Sequence, residues 1–313
     1  MDEREPSHVI GGIIALTMVL VLLYVASSFA IGFGSNQQAP PPQAAPTTSP
    51  ADRASSLGIT LLVFFAETLA MAYFVRRSVQ GGIVLVVALF LVFFGHNAVV
   101  LHIESLIFLQ AHLPTESLWK IVGMNTLVAL LYAPLAVLLL GRRKRNPDAP
   151  PVWSLLRMPW GDAVWKIGIA SVSYVALYLL FGYYVAWKQP AVQAYYGGTD
   201  PGSFFAQLTA LGRGQPWLFA VQLLRGALWI GFAYPLIRFQ DVSRSRALLA
   251  CGFLFSVWSL QLLLPNPFMP HEVRMIHLRE ILISNFLFGA LASWLFSRSP
   301  ERTKTPHPSP SQS

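Results

Sequence analysis

Eight mostly apolar runs dominate the sequence, and each is long enough to cross a hydrocarbon core as a helix, which takes about 20 residues. No water is available inside a bilayer to satisfy exposed backbone N–H and C=O groups, so such runs must be helical. The runs are Val9–Phe33, Leu57–Tyr73, Gly82–Phe108, Leu118–Leu140, Ala163–Trp187, Trp217–Phe239, Ala247–Leu264 and Val273–Phe296. We therefore predict an all-α, polytopic transmembrane helical bundle of about eight spans.

Charge supports this class and argues against nucleic acid as a partner. Only 12% of the residues are charged, about half the fraction usual in a soluble domain. The net charge of +8 comes from short basic clusters between apolar runs, as in cytoplasmic loops that face anionic lipid. The expected partner is the lipid bilayer. The single cysteine, Cys251, allows neither an internal disulfide nor a cysteine-based metal site.

Lysine and arginine at the ends of the spans predict the orientation. With the N-terminus inside, fifteen basic residues fall on the cytoplasmic side and six on the other. The fifteen are Arg4, Arg76, Arg77, Arg142, Arg143, Lys144, Arg145, Arg157, Lys166, Arg238, Arg244, Arg246, Arg298, Arg302 and Lys304; the six are Arg53, Lys120, Lys188, Arg213, Arg274 and Arg279. This asymmetry predicts a bacterial-type inner membrane protein with both termini cytoplasmic.

Composition shifts divide the chain into four parts. Residues 1–34 predict an uncleaved N-terminal membrane anchor helix, and the Pro/Ala/Ser-rich residues 35–56 a disordered extracytoplasmic linker that leaves this helix loosely tied. Residues 57–297 predict a seven-span helical membrane domain. Its outer loop, 188–216, should hold a short interfacial helix that is capped at Thr199 or Asp200 and could act as a lid. Residues 298–313 predict a disordered cytoplasmic tail.

Polar side chains inside the apolar runs are the candidate site residues, because an ionisable group in a span costs roughly 2.5 to 3.5 kcal/mol. Such groups face the bundle interior, pair with one another or serve function. The candidates for ligand or proton binding are Glu67, His96, Asn97, Glu104, Asn125, Gln222, Arg225, His277, Glu280, Ser284 and Asn285. Most lie near the outer ends of their spans, so we expect a polar cavity in the outer leaflet.

Helical phase at about 100° per residue predicts which of these side chains share a face. In the last span His277, Glu280 and Ser284 form one stripe, whereas His271 and Glu272 should lie in the preceding loop. In the third span His96, Asn97 and Glu104 share one side, and His102 should point elsewhere. In the sixth span Gln222, Arg225 and Trp229 stack together. Either Glu67 or Glu104 could neutralise Arg225.

Several functions are compatible with such a cavity. It could bind a small polar ligand, an ion or a lipid head group, and a proton-coupled transporter would use Arg225 to receive an anion and Glu67, Glu280 and His277 to carry protons. The polar groups could also serve only to pack the helices.

Two further alternatives remain open. His96, His277 and Glu280 could hold a divalent metal in a membrane-embedded enzyme that acts on a lipid or isoprenoid head group, and His96 with His277 could ligate haem. A non-catalytic accessory subunit of a membrane complex would need no cavity and would contact its partner through the first helix. The catalytic residues, if any, are not defined by the sequence.

Overall fold

A computed structural model of the chain describes residues 6–34, 50–108, 113–144, 147–264 and 269–297. Within these residues, eight helices are long and apolar enough to cross a membrane, which confirms the predicted all-α bundle. They are α1 (Pro6–Gly34), α2 (Pro50–Arg77), α3 (Gly82–Phe108), α4 (Thr115–Leu139), α6 (Trp160–Trp187), α9 (Trp217–Arg238), α10 (Arg244–Leu263) and α11 (His271–Phe296). The shorter helices are α5 (Val152–Leu156), α7 (Pro190–Tyr196) and α8 (Phe204–Gly214).

The core of the bundle is shared by all eight long helices, and its outer surface is apolar too. The core includes Leu16, Val63, Leu85, Ala133, Ala170, Leu236, Phe255 and Phe288. Large apolar side chains such as Ile83, Val172 and Phe253 are more than half exposed on the outside. Side chains that are apolar both inside and outside suit a bundle whose solvent is lipid. The chain is a multi-pass membrane protein.

The first helix is not loosely tied, as the linker composition had suggested. Leu16 and Leu20 of α1 are buried. A Cβ atom at Gly12 would lie 2.9 Å from the backbone oxygen of Leu139, so the absence of a side chain lets α1 approach α4 closely. Linker composition has no bearing on packing inside the membrane. Helix α2 also begins at Pro50, so residues 50–56 are helical, and the rest of the predicted linker lies outside the described residues.

Arginines join the helix ends at the basic end of the bundle. The Arg142 guanidinium donates to the backbone oxygens of Val75 at 3.3 Å and Arg76 at 3.2 Å. Arg238 donates to the backbone oxygen of Leu155 at 2.7 Å and to that of Phe296 at 3.1 Å. The last carbonyls of a helix have no partner within it, so these side chains cap helix C-termini as well as placing positive charge beside the membrane.

The opposite end carries the loop 188–216, which contains two helices. Helix α8 is the one predicted there, but its N-cap is Ser203, whose hydroxyl oxygen accepts from the Ala206 N–H at 3.1 Å. Asp200 instead accepts from the Gly202 N–H at 2.9 Å and pairs with Lys188, so the predicted caps are wrong. Helix α7, Pro190–Tyr196, was not predicted.

Candidate functional site

A π-helical turn at Gly95–Val100 determines where the polar side chains of α3 point. In a π-helix the backbone hydrogen bonds join residues five apart, so these residues lie closer to one side than in an α-helix, where they are about 140° apart. His102 therefore lies on the same side as Asn97. The Asn125 amide of α4 contacts both, since it donates to the backbone oxygen of Asn97 at 2.8 Å and lies 3.3 Å from Nε2 of His102. The expectation that His102 points elsewhere is wrong, because it assumed an unbroken α-helix.

The buried guanidinium of Arg225, on α9, is the centre of one polar cluster. Arg225 forms an ion pair with Glu104 of α3, donates to Oε1 of Gln222 at 2.7 Å, and donates through Nε to the Val100 backbone oxygen at 3.2 Å. Val100 is the last residue of the π turn. The guanidinium also lies over the Tyr174 ring of α6, 5.5 Å from its centroid. Glu104, not Glu67, is thus the carboxylate that neutralises Arg225.

The last helix contributes a histidine–carboxylate pair to the same region. Nδ1 of His277 lies 2.6 Å from Oε2 of Glu280, as expected for residues three apart on one helix face. The Tyr196 hydroxyl, at the end of α7, lies 3.2 Å from Nε2 of the same histidine. Helix α7 therefore places a phenol over the histidine from the loop side.

The two groups form one cluster. His277 and Glu104 interact electrostatically, and Tyr178 of α6 interacts with Glu104, Arg225 and Glu280 together. Gly182 opens a second π turn, Gly182–Trp187, and a Cβ atom there would lie 3.5 Å from Oε1 of Glu280. We call the side chains of Glu104, Gln222, Arg225, His277 and Glu280 the arginine cluster. They come from α3, α9 and α11, with tyrosines of α6 and α7 around them.

A second polar group, the Glu67 network, lies around α2. The Gln261 amide, in the 3₁₀ turn Trp258–Leu263 that ends α10, donates to Oε1 of Glu67 at 2.8 Å and to Oδ1 of Asn97 at 3.2 Å. Asn97 also donates to the Phe93 backbone oxygen at 3.2 Å. The network therefore links α2, α3 and α10, and Asn125 connects it to α4.

His96 lies between the two groups but has no hydrogen bond in the described structure to either. Its ring lies 4.5 Å from that of Trp229 and 5.1 Å from that of Trp258, measured between centroids. It interacts electrostatically with Arg225 and His102. An imidazole held between two indoles is packed as an aromatic side chain.

Ser284 and Asn285 do not join these hydrogen bonds among the described residues. The Ser284 hydroxyl donates to the Ile281 backbone oxygen of its own helix at 3.4 Å, and Asn285 is buried. His271 and Glu272 are helical, because α11 begins directly after Pro270, so their placement in a loop is wrong. Arg274 is buried and donates to the backbone oxygens of Leu262 and Leu264, capping the end of α10.

The predicted metal ligands are divided between these surroundings. His277 and Glu280 are paired with each other, whereas His96 is packed between tryptophans. The part of the chain that the structure describes contains no group of three or more His, Cys, Asp or Glu side chains that could hold a metal ion. Divalent metal and haem stay predictions.

Two grooves of about 400 Å³ each lie on the apolar surface of the bundle, and no side chain of the arginine cluster or of the Glu67 network lines either of them. One is lined by α6, α8 and α9, with Val175, Leu179, Phe204 and Leu208 among its residues. The other lies between α1 and α2. The side chains of the arginine cluster are instead packed against one another, so the cavity predicted there requires them to separate.

A charged clasp closes the base of helix α7. Nζ of Lys188 lies 2.8 Å from Oδ2 of Asp200, and the Trp187 indole N–H donates to the Thr199 backbone oxygen at 3.1 Å. The hydrogen bond to Asp200 raises the pKa of Lys188 to about 12, and the hydrogen bond to Lys188 lowers the pKa of Asp200. Both groups stay charged at neutral pH, so the segment with Tyr196 is held as a closed loop.

Sequence reasoning missed the tyrosines of the site. Tyr174, Tyr178 and Tyr196 surround the arginine cluster, but they read as ordinary aromatic residues of spans and loops. The spacing of Tyr174 and Tyr178, one helical turn apart, indicates that both lie on one face of their helix. Gln261 was recognisable as a polar residue inside an apolar run. Its partners were not, because they lie on other helices.

No protein-family model, curated protein or solved structure matches the chain.

Proposed function

We propose that the protein is a proton-coupled transporter of a bacterial-type inner membrane, with both termini cytoplasmic, and that the arginine cluster binds a small polar ligand. The observation that carries this proposal is the pairing of one buried arginine with Glu104 while a second carboxylate, Glu280, lies in the same cluster against His277. Positive Arg225 and titratable carboxylates inside an apolar bundle are the elements that proton-coupled transport requires.

Charge balance provides the coupling. With His277 protonated, one arginine and one histidinium balance two carboxylates; after loss of that proton the cluster has one negative charge in excess. Because net charge is costly away from water, the cluster favours the neutral state. A cationic ligand would therefore take the place of the proton. An anionic ligand would displace Glu104 from Arg225, and Glu104 would take up a proton.

Access from the loop side is controlled by α7. The Tyr196 hydroxyl contacts His277, and the Lys188–Asp200 clasp holds the base of the segment that carries it. Movement of α7 away from α11 would open His277 and Glu280 to solvent, while the rest of the bundle could stay in place. Closure of such a segment over a bound ligand is a common way to alternate access.

Transport in reconstituted vesicles tests the proposal. Purified protein is placed in proteoliposomes that contain a pH-sensitive dye, and an inward proton gradient is imposed with succinate, inorganic phosphate or putrescine as the probe. We expect one of these chemical classes to evoke proton flux that Glu280→Gln abolishes. The matched control is Arg279→Gln, since Arg279 is the exposed neighbour on α11. A flux that survives Glu280→Gln, or the absence of coupled flux with all three classes, would contradict the proposal.

A further inference from the structure

Glu67 is a buried carboxylate without a cationic partner among the described residues. Its side chain is fully buried at the middle of α2, eleven residues after Ser56, where the span begins. One oxygen, Oε1, accepts from Gln261 at 2.8 Å, and the other, Oε2, has no hydrogen-bond partner. The buried arginine Arg225 is paired with Glu104 instead. An isolated carboxylate in such a place must gain a proton or a cation.

Buried neutral oxygen atoms lie in the neighbourhood of this carboxylate. The hydroxyls of Thr68 and Tyr132 are both fully buried, and neither has a hydrogen-bond partner of normal geometry. The Tyr132 hydroxyl lies beside that of Thr68 and interacts electrostatically with Glu67. Oδ1 of Asn97 approaches from α3, where it shares the Gln261 amide. Each buried polar atom left without a hydrogen bond costs about 1 to 3 kcal/mol. Oε2 of Glu67 and the hydroxyl oxygens of Thr68 and Tyr132 are three such atoms, and together they point to a missing ligand.

The chemistry of these donors selects the ligand. Carboxylate, hydroxyl and amide oxygens are hard ligands that favour hard cations over the softer transition metals. A single carboxylate supplies one negative charge, which a monovalent cation neutralises and a divalent cation would exceed. We propose that Glu67, Thr68 and Tyr132 form a sodium site, in which Gln261 holds the carboxylate and Asn97 holds the Gln261 amide. Sodium bound there would join α2 to α4.

This inference does not rest on the proposed function, because the sodium site and the arginine cluster use different residues. The two are joined only through the π turn of α3, which carries Asn97 into the Glu67 network and offers the Val100 carbonyl to Arg225. The vesicle experiment with Glu280→Gln can therefore fail while sodium still binds, and the reverse also holds.

Binding of radioactive sodium to the purified full-length protein tests the site. We expect saturable ²²Na⁺ binding that reaches one ion per chain and falls as the pH is lowered, since protons compete for the same carboxylate. Glu67→Gln should abolish it. Thr68→Ala should weaken it by at least about tenfold, because loss of even a supporting partner of a metal ligand costs roughly 10- to 100-fold in affinity. Thr60→Ala is the matched control, because Thr60 is also buried on α2 but its hydroxyl donates to the Ser56 backbone oxygen at 2.8 Å.

Each outcome of these binding measurements either supports the sodium site or overturns it. The absence of saturable binding to the unaltered protein would overturn the proposal and leave Glu67 as a protonated carboxylic acid, and so would equal binding by Glu67→Gln. If Glu67→Gln does not elute as a single species in detergent, the comparison of Thr68→Ala with Thr60→Ala replaces it. Equal affinity of those two variants would also overturn the site, whereas a selective loss in Thr68→Ala supports it.

Discussion

Arg225 illustrates how one residue organises the polar interior. Its guanidinium offers five N–H donors in a rigid plane, and it uses them on Glu104, on Gln222 and on the Val100 backbone oxygen while its face covers Tyr174. A lysine could not satisfy this set, because its three donors diverge from one nitrogen. The charge is therefore fixed in position, and only its carboxylate partner can be exchanged for a ligand.

Removing one partner of the Arg225–Glu104 ion pair should lower the free energy of unfolding more than removing both partners. Arg225→Met leaves Glu104 uncompensated, and we expect a loss of about 3 kcal/mol in the free energy of unfolding. The double variant Arg225→Met with Glu104→Met should recover part of that loss, because two apolar side chains replace two charges. Unfolding by denaturant in detergent micelles measures both. If the double variant is no more stable than Arg225→Met, the expectation is contradicted.

At the scale of the element, glycine determines how closely α10 and α11 approach each other. A Cβ atom at Gly289 would collide with the backbone oxygen of Cys251 and would lie 2.8 Å from Cβ of Phe255. Close approach of helices at small residues is the usual way to gain packing in lipid. Helix α10 carries Gln261 of the Glu67 network, and α11 carries His277 of the arginine cluster. The distance between these two helices therefore affects the position of both polar groups.

Gly289→Ala should therefore destabilise the bundle by about 1 to 3 kcal/mol, the usual cost of overpacking. Thermal unfolding in detergent measures the effect. Gly231→Ala on α9 is the matched control, since a Cβ atom there meets nothing within 4 Å. Alanine is the better helix former, so the control should be neutral or slightly stabilising. Equal destabilisation by both variants would contradict the close contact.

The Lys188–Asp200 clasp should control the mobility of α7 but not that of the bundle. Asp200→Asn removes the ion pair, so we expect faster hydrogen exchange in residues 190–196 and no change in the long helices. In the unaltered protein the pKa of Asp200 is lowered, so the clasp is lost only as the pH falls through that lowered value. The pKa of Lys188 is raised to about 12, so at high pH the clasp is lost only near that value.

The ratio of the exchange rates of Asp200→Asn and the unaltered protein should thus be constant over roughly pH 5 to 9, where both groups keep their charge. Measurement of the two proteins side by side at each pH removes the intrinsic pH dependence of exchange. A ratio that changes across this range would show that the effect of the clasp depends on a second titrating group, such as His277 beside Tyr196.

At the scale of the whole molecule, the two ends of the bundle differ in charge and in construction. One end brings together Arg142 and Arg238 with the carbonyls that they cap. The other carries α7, α8 and the ends of the spans that hold the polar groups. The predicted orientation places the first end in the cytoplasm and Tyr196 outside, so α7 would face the extracytoplasmic solvent.

Single-cysteine labelling tests this orientation. The native Cys251 is buried and should not react with a polar reagent, so added cysteines report on their own positions. Thr199→Cys, in the loop near α7, should react with a membrane-impermeant maleimide in intact cells. Lys144→Cys, in the basic loop, should react only after the membrane is permeabilised. Both positions are exposed in the structure. The reverse pattern would invert the predicted topology.

The sequence by itself determined the number and kind of helices, because transfer of a span into lipid is a local property of about 20 consecutive residues. It also determined which polar residues the interior must accommodate, since each has an insertion cost of its own. Short-range phase correctly paired His277 with Glu280 on α11. These are all properties of one segment, so they can be read without knowing what lies beside it.

Only the tertiary structure decided which polar groups meet. Two carboxylates could have paired with Arg225. Because α9 packs against α3, Arg225 pairs with Glu104, and Glu67 accepts a hydrogen bond from Gln261 instead. The π turn in α3 changed the phase on which the placement of His102 depended. Such a turn is stabilised by its neighbours and has no dependable signal in one sequence. Pairing depends on how helices rotate and approach one another, which is a property of the assembled bundle.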